Sequence, residues 1–363
     1  MIARSLDTTI PKISPLDGAA MAQARARQDI LTKPRGSLGR LEELSVWLAG
    51  VTANPLPQIR HKLIVTAAAD HGVAAQGVSA YPQEVTAQMV GNFLGGGAAI
   101  NVLARQVGAR IVVVDAGVAG ETPAVGLASK PVARGTADMS QGPAMSRSQA
   151  LACLEAGVEV IKAEMAKGAD IVGVGDMGIA NTTAASAITA AFTGLPPRAV
   201  TGRGTGVDGD GLRRKVAVIE GALAVNRPDP GDALDVLAKV GGFEIGFLAG
   251  VMLAAAGARR PVVLDGFITG AAALIGCGLC PRLGRYLLAS HLSVEPGHQA
   301  VLDRLQLRPL LDLGMRLGEG TGAALGIFLV EAAGRCLAEM GTFAEAGVSQ
   351  RRAEEASLPT TGE

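Results

Sequence analysis

A glutamate between two glycines is the clearest candidate for a chemical role in this chain. Glu319 lies in the run Gly318-Glu319-Gly320, immediately before an apolar helical stretch. A carboxylate at a helix start is commonly present only because the helix dipole stabilises it. If the turn instead shields the carboxylate from water and faces a ligand, burial raises its pKa and makes it a better general base. Spacing alone leaves both interpretations open.

A second glycine-rich loop, residues 173–183, follows an apolar strand pattern and opens a helix. Its glycines let a ligand approach the backbone, and the N–H groups of a helix start favour an anion such as phosphate. Gly173, Gly175 and Gly178 form a GxGxxG pattern, which is typical of dinucleotide sites. Such sites also place an acidic residue about 20 positions further on. Residues 190–205 contain no Asp or Glu, so a nicotinamide-dependent oxidoreductase is the weaker alternative.

A third loop, residues 201–208, has the sequence TGRGTGVD and the glycine density of an anion cradle. Lys215 follows on the next helix, where its spacing alone favours a solvated side chain. Two polar segments interrupt apolar surroundings, one beginning at Asp70-His71 and the other spanning His291–His298. An isolated histidine is more often structural than catalytic, and these are too far apart in sequence to indicate a metal site.

These loops lie between short apolar runs and longer helical patterns, an alternation that predicts an α/β fold with a parallel sheet covered by helices on both faces. Ligands of such sheets bind beyond the carboxyl ends of the strands. The predicted strands are Leu63–Ala67, Arg110–Val114, Asp170–Val174, Arg198–Thr201, Pro261–Leu264 and Tyr286–Ala289. The predicted helices include Gln83–Val107, Ser148–Lys167, Thr182–Phe192, Gly211–Ala224, Ala233–Val240, Phe243–Ala256 and Thr321–Met340.

Composition excludes several classes of function. The 363 residues carry 33 Lys plus Arg and 33 Asp plus Glu, which disfavours a nucleic-acid partner and an anionic membrane surface. The apolar runs 245–258 and 266–281 are shorter than the roughly 18–20 residues of a membrane span. Four cysteines and an N-terminus without an apolar signal-like core predict a cytoplasmic protein. No second CxxC completes a zinc site with Cys277 and Cys280.

Pro55 and Pro57 mark a linker after an N-terminal helical stretch whose apolar residues recur at helical spacing. We therefore predict a small helical domain beginning with residues 1–58 and a large α/β catalytic domain over residues 59–340. Residues 341–363 form a C-terminal segment that packs with the small domain or frays.

Taken together, the motifs resemble the nicotinate-nucleotide:dimethylbenzimidazole phosphoribosyltransferase family. The matching segments run in the family's order and cover nearly the whole chain: Lys33–Glu42, Ala69–Met89, Gly175–Ala185, Thr201–Asp208, Val262–Ala273, His291–His298 and Leu317–Ala324. The resemblance implies a Rossmann-like sheet with a small helical domain built from both chain ends. It also implies a homodimer that uses no metal and no cofactor.

The resemblance further implies which residues act. Glu319 corresponds to the family's general base, whereas Asp176 stands where many members have glutamate, so a supporting catalytic role is expected for it. The base-binding residues would be Ser79, Tyr81, Gln88 and Leu317. The nucleotide and phosphate would contact Gly178, Asn181, Thr182, Gly202, Arg203, Gly204, Lys215, Asp265, Ser293, Gly318 and Gly320.

The implied reaction transfers the phosphoribosyl group of nicotinate mononucleotide to 5,6-dimethylbenzimidazole. Its products are α-ribazole 5′-phosphate and nicotinate, in the nucleotide-loop assembly of cobalamin. A sensor that binds nucleotide or base without turnover remains the alternative from a different class.

Overall fold

The computed structural model describes residues 5–349 and contains one 6-stranded sheet in the order β3-β2-β1-β4-β5-β6. Every neighbouring pair of strands is parallel, which confirms the predicted fold class. The strands are β1 Lys62–Ala69, β2 Ala109–Gly117, β3 Ala128–Ser129, β4 Ile171–Met177, β5 Val262–Leu264 and β6 Leu287–Ala289.

Helices connect the strands and cover both faces of the sheet. In chain order they are α1 Ser5–Thr9, α2 Gly18–Gln28, α3 Arg40–Thr52, α4 Val85–Gly95, α5 Ala99–Val107, α6 Arg147–Ala166, α7 Asn181–Thr193, α8 Pro197–Val200, α9 Gly209–Asn226, α10 Ala233–Val240, α11 Phe243–Gly257, α12 Phe267–Leu279, α13 Pro296–Leu305, α14 Thr321–Glu339 and α15 Phe343–Ala346. Short 3-10 turns lie at Ile10–Lys12, Gly72–Gln76 and Pro281–Tyr286.

Strand β1 shows why the sheet needs helices on both sides. Leu63 and Val65 point to the core that includes α6 and α11, while Ile64 and Ala68 point to a second core that includes α5 and α14. Successive side chains of a strand face opposite sides of the sheet, so an uninterrupted apolar run requires two apolar layers.

One predicted strand is wrong. Residues Arg198–Thr201 do not join the sheet, and Pro197–Val200 form the short helix α8 instead. Pro197 occupies its first turn, where the missing N–H of proline does no harm and the fixed φ suits a helix. The β-branched residues Val200 and Thr201 gave the segment its strand-like composition.

The predicted helix Gln83–Val107 is two helices, α4 and α5. The chain turns between them at Gly95-Gly96-Gly97, where Gly96 has a φ of 78° that favours glycine. This break is important for the site because it creates the N-terminus of α5 beside the loop that precedes α14.

The terminal segments pack together around a small apolar cluster. Ala20 and Ala24 of α2 contact Val46 and Ala49 of α3 and Leu337 near the end of α14. A β-bridge joins Leu31 to Thr342. These contacts agree with a helical unit built from both chain ends, although the domain boundaries remain a prediction. Residues 350–363 of the predicted C-terminal segment lie outside the described residues.

Helix α14 is long and apolar enough to cross a membrane by length and composition only. It nevertheless packs against β1, β4 and β5, and slightly more than half of its most apolar stretch is buried inside the fold. These contacts are those of a core helix, so the helix is weak evidence for a membrane span.

Candidate active site

The strand order reverses at β1, whose neighbours are β2 and β4, and a cleft of about 500 Å³ opens at the carboxyl edge of the sheet. Ligands of open α/β sheets bind at such a reversal point because the connecting loops diverge there. The loops that follow β4, β5 and β6 contribute to its wall, together with the turn before α14. This is the edge at which the sequence placed the glycine-rich loops.

The turn that carries Glu319 is held from three sides. The N–H of Glu319 donates to the carbonyl of Asp176 at 3.1 Å, and its own carbonyl accepts from Thr66 Oγ1 at 2.8 Å. Asp265 accepts the N–H groups of Gly320 and Gly322 at 2.9 and 2.6 Å. The strands therefore fix the backbone on both sides of Glu319.

The backbone of Glu319 is in the left-handed region, with a φ of 66° between φ values of 84° at Gly318 and 100° at Gly320. A non-glycine residue there is uncommon and persists when its surroundings hold it. Gly175 of β4 makes the arrangement possible, because a Cβ at that position would overlap the carbonyl group of Glu319. The glycines of the second loop thus accommodate protein backbone as well as ligand.

The Glu319 side chain is buried and lines the cleft. Its Oε2 accepts the N–H of Ile100, in the first turn of α5, at 3.2 Å. Burial raises the pKa of this carboxyl above its usual value, and the hydrogen bond from Ile100 opposes that shift. Such a carboxylate accepts a proton more readily than one in water, as general base catalysis requires.

Asp176 lies beside Glu319 but in a different electrostatic state. Its Oδ2 accepts from Asn181 Nδ2 at 3.0 Å. Burial, and then the nearby carboxylates Asp265 and Glu244, raise the pKa of this carboxyl well above its usual value. This environment disfavours the ionised form, so stabilisation of a cation by Asp176 requires that the cation itself promote its ionisation.

Asp265, expected to contact the nucleotide, is fully buried and does not line the cleft. Both oxygens accept backbone N–H groups of the Glu319 turn, and burial raises its pKa to about 7. The structure therefore gives Asp265 a positioning role for the Glu319 turn, whereas the resemblance implied a contact with the nucleotide.

Lys215 is fully buried, so the solvated position favoured by its spacing is wrong. Its ammonium donates to Thr182 Oγ1 at 2.6 Å and to the carbonyl of Gly202 at 3.4 Å. Burial lowers its pKa to about 8, and the charge of Glu295 opposes the change. Because Thr182 Oγ1 accepts from Lys215, the Thr182 hydroxyl is free to donate into the cleft.

Most of the predicted site residues are brought together. Those that line the cleft are Glu319, Asp176, Tyr81, Leu317, Gly178, Asn181, Thr182, Gly204, Ser293 and Gly318. Those that lie outside the lining are Ser79, Gln88, Gly202, Arg203, Lys215, Asp265 and Gly320. Ser79 contacts Thr205 through their hydroxyls, Gln88 is exposed, and Arg203 is exposed and donates to the carbonyl of Val207.

Sequence reasoning missed an apolar wall and four polar residues of the cleft. The apolar residues are Val85, Met89, Met177, Ile179, Phe267 and Ile268. Val85 and Met89 are four positions apart on α4, so they share one face of that helix, and this spacing was a usable signal. Two of the polar residues, His291 and Glu295, lie in the polar segment that follows β6. The other two are Thr205 and Arg316, and Arg316 donates to the carbonyl of Gly204 at 2.9 Å.

His71 has the structural role that an isolated histidine usually has. Its Nε2 lies 2.7 Å from Glu244 Oε1, and both side chains are buried. Although burial opposes it, the charges of Glu244 and Asp70 raise the pKa of His71. Neither residue belongs to the cleft lining.

Comparison with known proteins agrees with this architecture. A sequence model described as "Phosphoribosyltransferase" matches residues 13–348. A nicotinate-nucleotide–dimethylbenzimidazole phosphoribosyltransferase of Roseiflexus sp. strain RS-1 is 63% identical over 345 residues, which cover 95% of this chain and 98% of the relative. One from Desulforudis audaxviator is 61% identical, covering 96% and 99%.

The chain belongs to the nicotinate-nucleotide–dimethylbenzimidazole phosphoribosyltransferase family.

A crystal structure of a member of this phosphoribosyltransferase family from Thermus thermophilus superposes with a TM-score of 0.88 at 50% identity, covering 93% of this chain and 100% of that one. A second structure from the same organism, titled CobT, gives 0.88 at 52% identity, covering 92% and 100%. The resemblance predicted from the motifs is confirmed. As a phosphoribosyltransferase the chain is a pentosyltransferase, and the oxidoreductase alternative is set aside.

Proposed function

We propose that this enzyme transfers the phosphoribosyl group of nicotinate mononucleotide to 5,6-dimethylbenzimidazole, giving α-ribazole 5′-phosphate and nicotinate. The relatives' names support both substrates. The observation that carries the proposal is the buried, cleft-lining carboxylate of Glu319, whose raised pKa suits it to accept the one proton that this reaction releases.

The reaction is a displacement at C1′ of the ribose. One benzimidazole nitrogen forms a bond to C1′ from the face opposite nicotinate, so the β configuration becomes α. The bond from C1′ to the pyridinium nitrogen breaks, and its electron pair returns to the ring, so nicotinate leaves without a proton. The other benzimidazole nitrogen gives its proton to Glu319. One base is therefore sufficient.

Positioning contributes the rest of the rate enhancement. Holding two substrates in reacting geometry lowers the barrier by roughly 7–11 kcal/mol in favourable cases. The rigid turn around Glu319, fixed by Asp176, Thr66 and Asp265, supplies such a geometry on the protein side. The transition state has oxocarbenium character, and Asp176, which lines the cleft, is expected to support the developing cation once that cation promotes its ionisation.

The base is expected to bind against the apolar lining residues, with Tyr81 and Leu317 at the mouth of the cleft. Both side chains are largely exposed, so each offers an apolar surface that a flat aromatic ring can contact. Ser79 and Gln88 lie outside the lining and remain predictions for this pocket. Apolar walls with few polar groups favour aromatic heterocycles over charged ligands.

The nucleotide is expected on the side of Gly178, Asn181 and Thr182. Residues 181–193 form α7, and its N-terminal N–H groups with the Thr182 hydroxyl are suited to bind phosphate. Gly204, Ser293 and Gly318 line the same region, and Lys215 acts through Thr182. Gly202, Arg203 and Gly320 belong to the loops that shape it.

We also propose that the enzyme is a cytoplasmic homodimer. Val102 of α5 and Phe328 of α14 expose more than half of their side-chain surface, on two helices that pack against each other. Exposed apolar side chains on neighbouring helices are typical of a subunit interface.

The deciding experiment incubates purified protein with nicotinate mononucleotide and a panel of bases, and resolves nicotinate and the riboside phosphate by mass. Glu319→Gln should lower kcat by about 100- to 10,000-fold while leaving the thermal denaturation curve unchanged. Glu220→Gln, an exposed residue on α9, is the matched control and should behave as wild type.

Near-normal turnover by Glu319→Gln would remove the assigned base. Tight binding of nicotinate mononucleotide by the wild-type protein without release of nicotinate would instead indicate the non-catalytic sensor.

A further inference from the structure

One buried carboxylate in the cleft has no role in the reaction described above. Glu295 lies just before α13, is 6% exposed and lines the cleft together with Ser293. A carboxylate is unexpected in a region suited to bind phosphate, because the two negative charges repel each other.

The two oxygens of Glu295 are in different situations. Oε1 accepts the N–H of Gly204 at 2.8 Å, so the loop that resembled an open anion cradle already holds a carboxylate. Oε2 is buried and has no hydrogen-bond partner within residues 5–349. A Cβ at position 202 would overlap Oε2, so Gly202 leaves space for this carboxylate.

The buried cation Lys215 does not satisfy the free oxygen of Glu295. Lys215 directs its ammonium to Thr182 and to the carbonyl of Gly202, and forms no ion pair with Glu295 in this structure. A buried acceptor without a donor loses its hydration and gains no hydrogen bond, so native proteins rarely leave one unless a ligand or water completes it.

The chemistry of the substrate limits what the donor is. Near neutral pH the nicotinate carboxylate and the phosphate of nicotinate mononucleotide carry negative charge, so they act mainly as hydrogen-bond acceptors. The pyridinium ring carries no N–H. The ribose 2′ and 3′ hydroxyls are the remaining O–H donors of the nucleotide, and Glu319 already receives the N–H proton of the base.

We propose that Glu295 accepts a hydrogen bond from a ribose hydroxyl and makes the enzyme select ribonucleotides over deoxyribonucleotides. This inference rests on the proposed function. Gly204 fixes the carboxylate through Oε1, Oε2 receives the hydroxyl, and the negative charge keeps the phosphate at a distance, towards Thr182 and α7. The sugar is thereby oriented with C1′ available to the base.

The test compares nicotinate mononucleotide with its 2′-deoxy and 3′-deoxy analogues. Loss of a hydrogen bond to a charged group weakens binding by about 10- to 150-fold. For the wild type, kcat/KM for one of the two analogues should therefore be lower than kcat/KM for the other by about that factor. Glu295→Ala should remove this difference, and Glu295→Gln, which keeps the size and one acceptor oxygen, should reduce it.

The ratio of kcat/KM between nucleotides distinguishes loss of ribose recognition from damage to the fold by the substitution. A purely structural role would lower kcat/KM for all three nucleotides in the same proportion and leave the ratios unchanged. Glu220→Gln should keep the wild-type ratios. Equal use of both deoxy analogues by the wild type, or ratios in Glu295→Ala that match the wild type, would overturn the inference.

Calorimetric affinities for the same three nucleotides distinguish this inference from the proposed function. If wild type binds nicotinate mononucleotide but does not turn it over, the proposed function fails, and the affinity ratios still test Glu295. If the protein turns over its substrate and the ratios are insensitive to Glu295, only the recognition role fails.

Discussion

At the scale of single residues, the site is governed by carboxyl groups that differ in how they hold a proton. Burial raises the pKa of Glu319, and the hydrogen bond from the N–H of Ile100 partly offsets that rise. For Asp176, burial and then the neighbouring carboxylates both raise the pKa. Environments that push neighbouring acids to different pKa values are typical of active sites. We therefore expect Glu319 to determine the pH dependence of activity and Asp176 to contribute to the pH dependence of stability.

Activity should be lost on the acid side at a pH above that of an ordinary glutamate. Glu319 accepts a proton only when ionised, and burial raises its pKa above the usual 4.5. The acid limb of kcat/KM should therefore have its midpoint above pH 4.5. Steady-state rates measured across the acid and neutral range provide the check, and an acid limb that persists unchanged in Glu319→Gln would assign it to another group.

Asp176→Asn should stabilise the fold, and more strongly at mildly alkaline than at mildly acidic pH. Folding raises the pKa of Asp176, so the folded chain holds this proton more tightly than the unfolded chain, and stability falls as the carboxyl ionises with rising pH. The neutral amide removes that loss. Melting curves at both pH values test it, and an equal shift at the two would contradict it.

At the scale of elements, the Glu319 turn depends on the strand beside it. Gly175→Ala should displace the turn, because the added methyl would overlap the carbonyl of Glu319. A displacement of about 1 Å lowers activity by about 100-fold, and overpacking costs about 1–3 kcal/mol of stability.

Gly221→Ala is the matched control for that substitution. Gly221 lies within α9, and an added methyl there would contact nothing within 4 Å. It should leave activity unchanged and raise stability by roughly 0.4–1 kcal/mol, because alanine restricts the unfolded chain. Kinetics and chemical denaturation of both variants separate the two effects, and wild-type turnover by Gly175→Ala would show that the turn tolerates displacement.

Sequence reasoning located the elements of the site better than the contacts within it. Apolar runs and glycine loops predicted β1, β4 and the turn at Glu319, because burial on both faces of a sheet leaves a strong pattern. The positions of Lys215 and Asp265 were not predictable, since their partners Thr182, Gly320 and Gly322 lie far away in sequence. The two-residue strand β3 carries too little pattern to be recognised.

At the scale of the whole molecule, the exposed apolar residues of α5 and α14 should mediate association. Phe328→Asp is expected to shift the protein from dimer to monomer, because a buried unpaired charge at an interface is strongly unfavourable. Val225→Asp, at a similarly exposed position on α9, is the control and should leave the mass unchanged. Light scattering at several concentrations measures both, and a monomeric wild type would exclude the proposed dimer.

Helix α14 joins the cleft to the helices at the chain ends. Its first residue follows the Glu319 turn, and about 24 Å further along its axis Leu337 packs with α2 and α3. The one tryptophan of the chain, Trp47, lies on α3, with its indole N–H anchored to the carbonyl of Arg285. The tryptophan fluorescence of the protein thus originates outside the cleft lining, so a change in tryptophan emission on addition of the substrates would report a structural change transmitted through the fold.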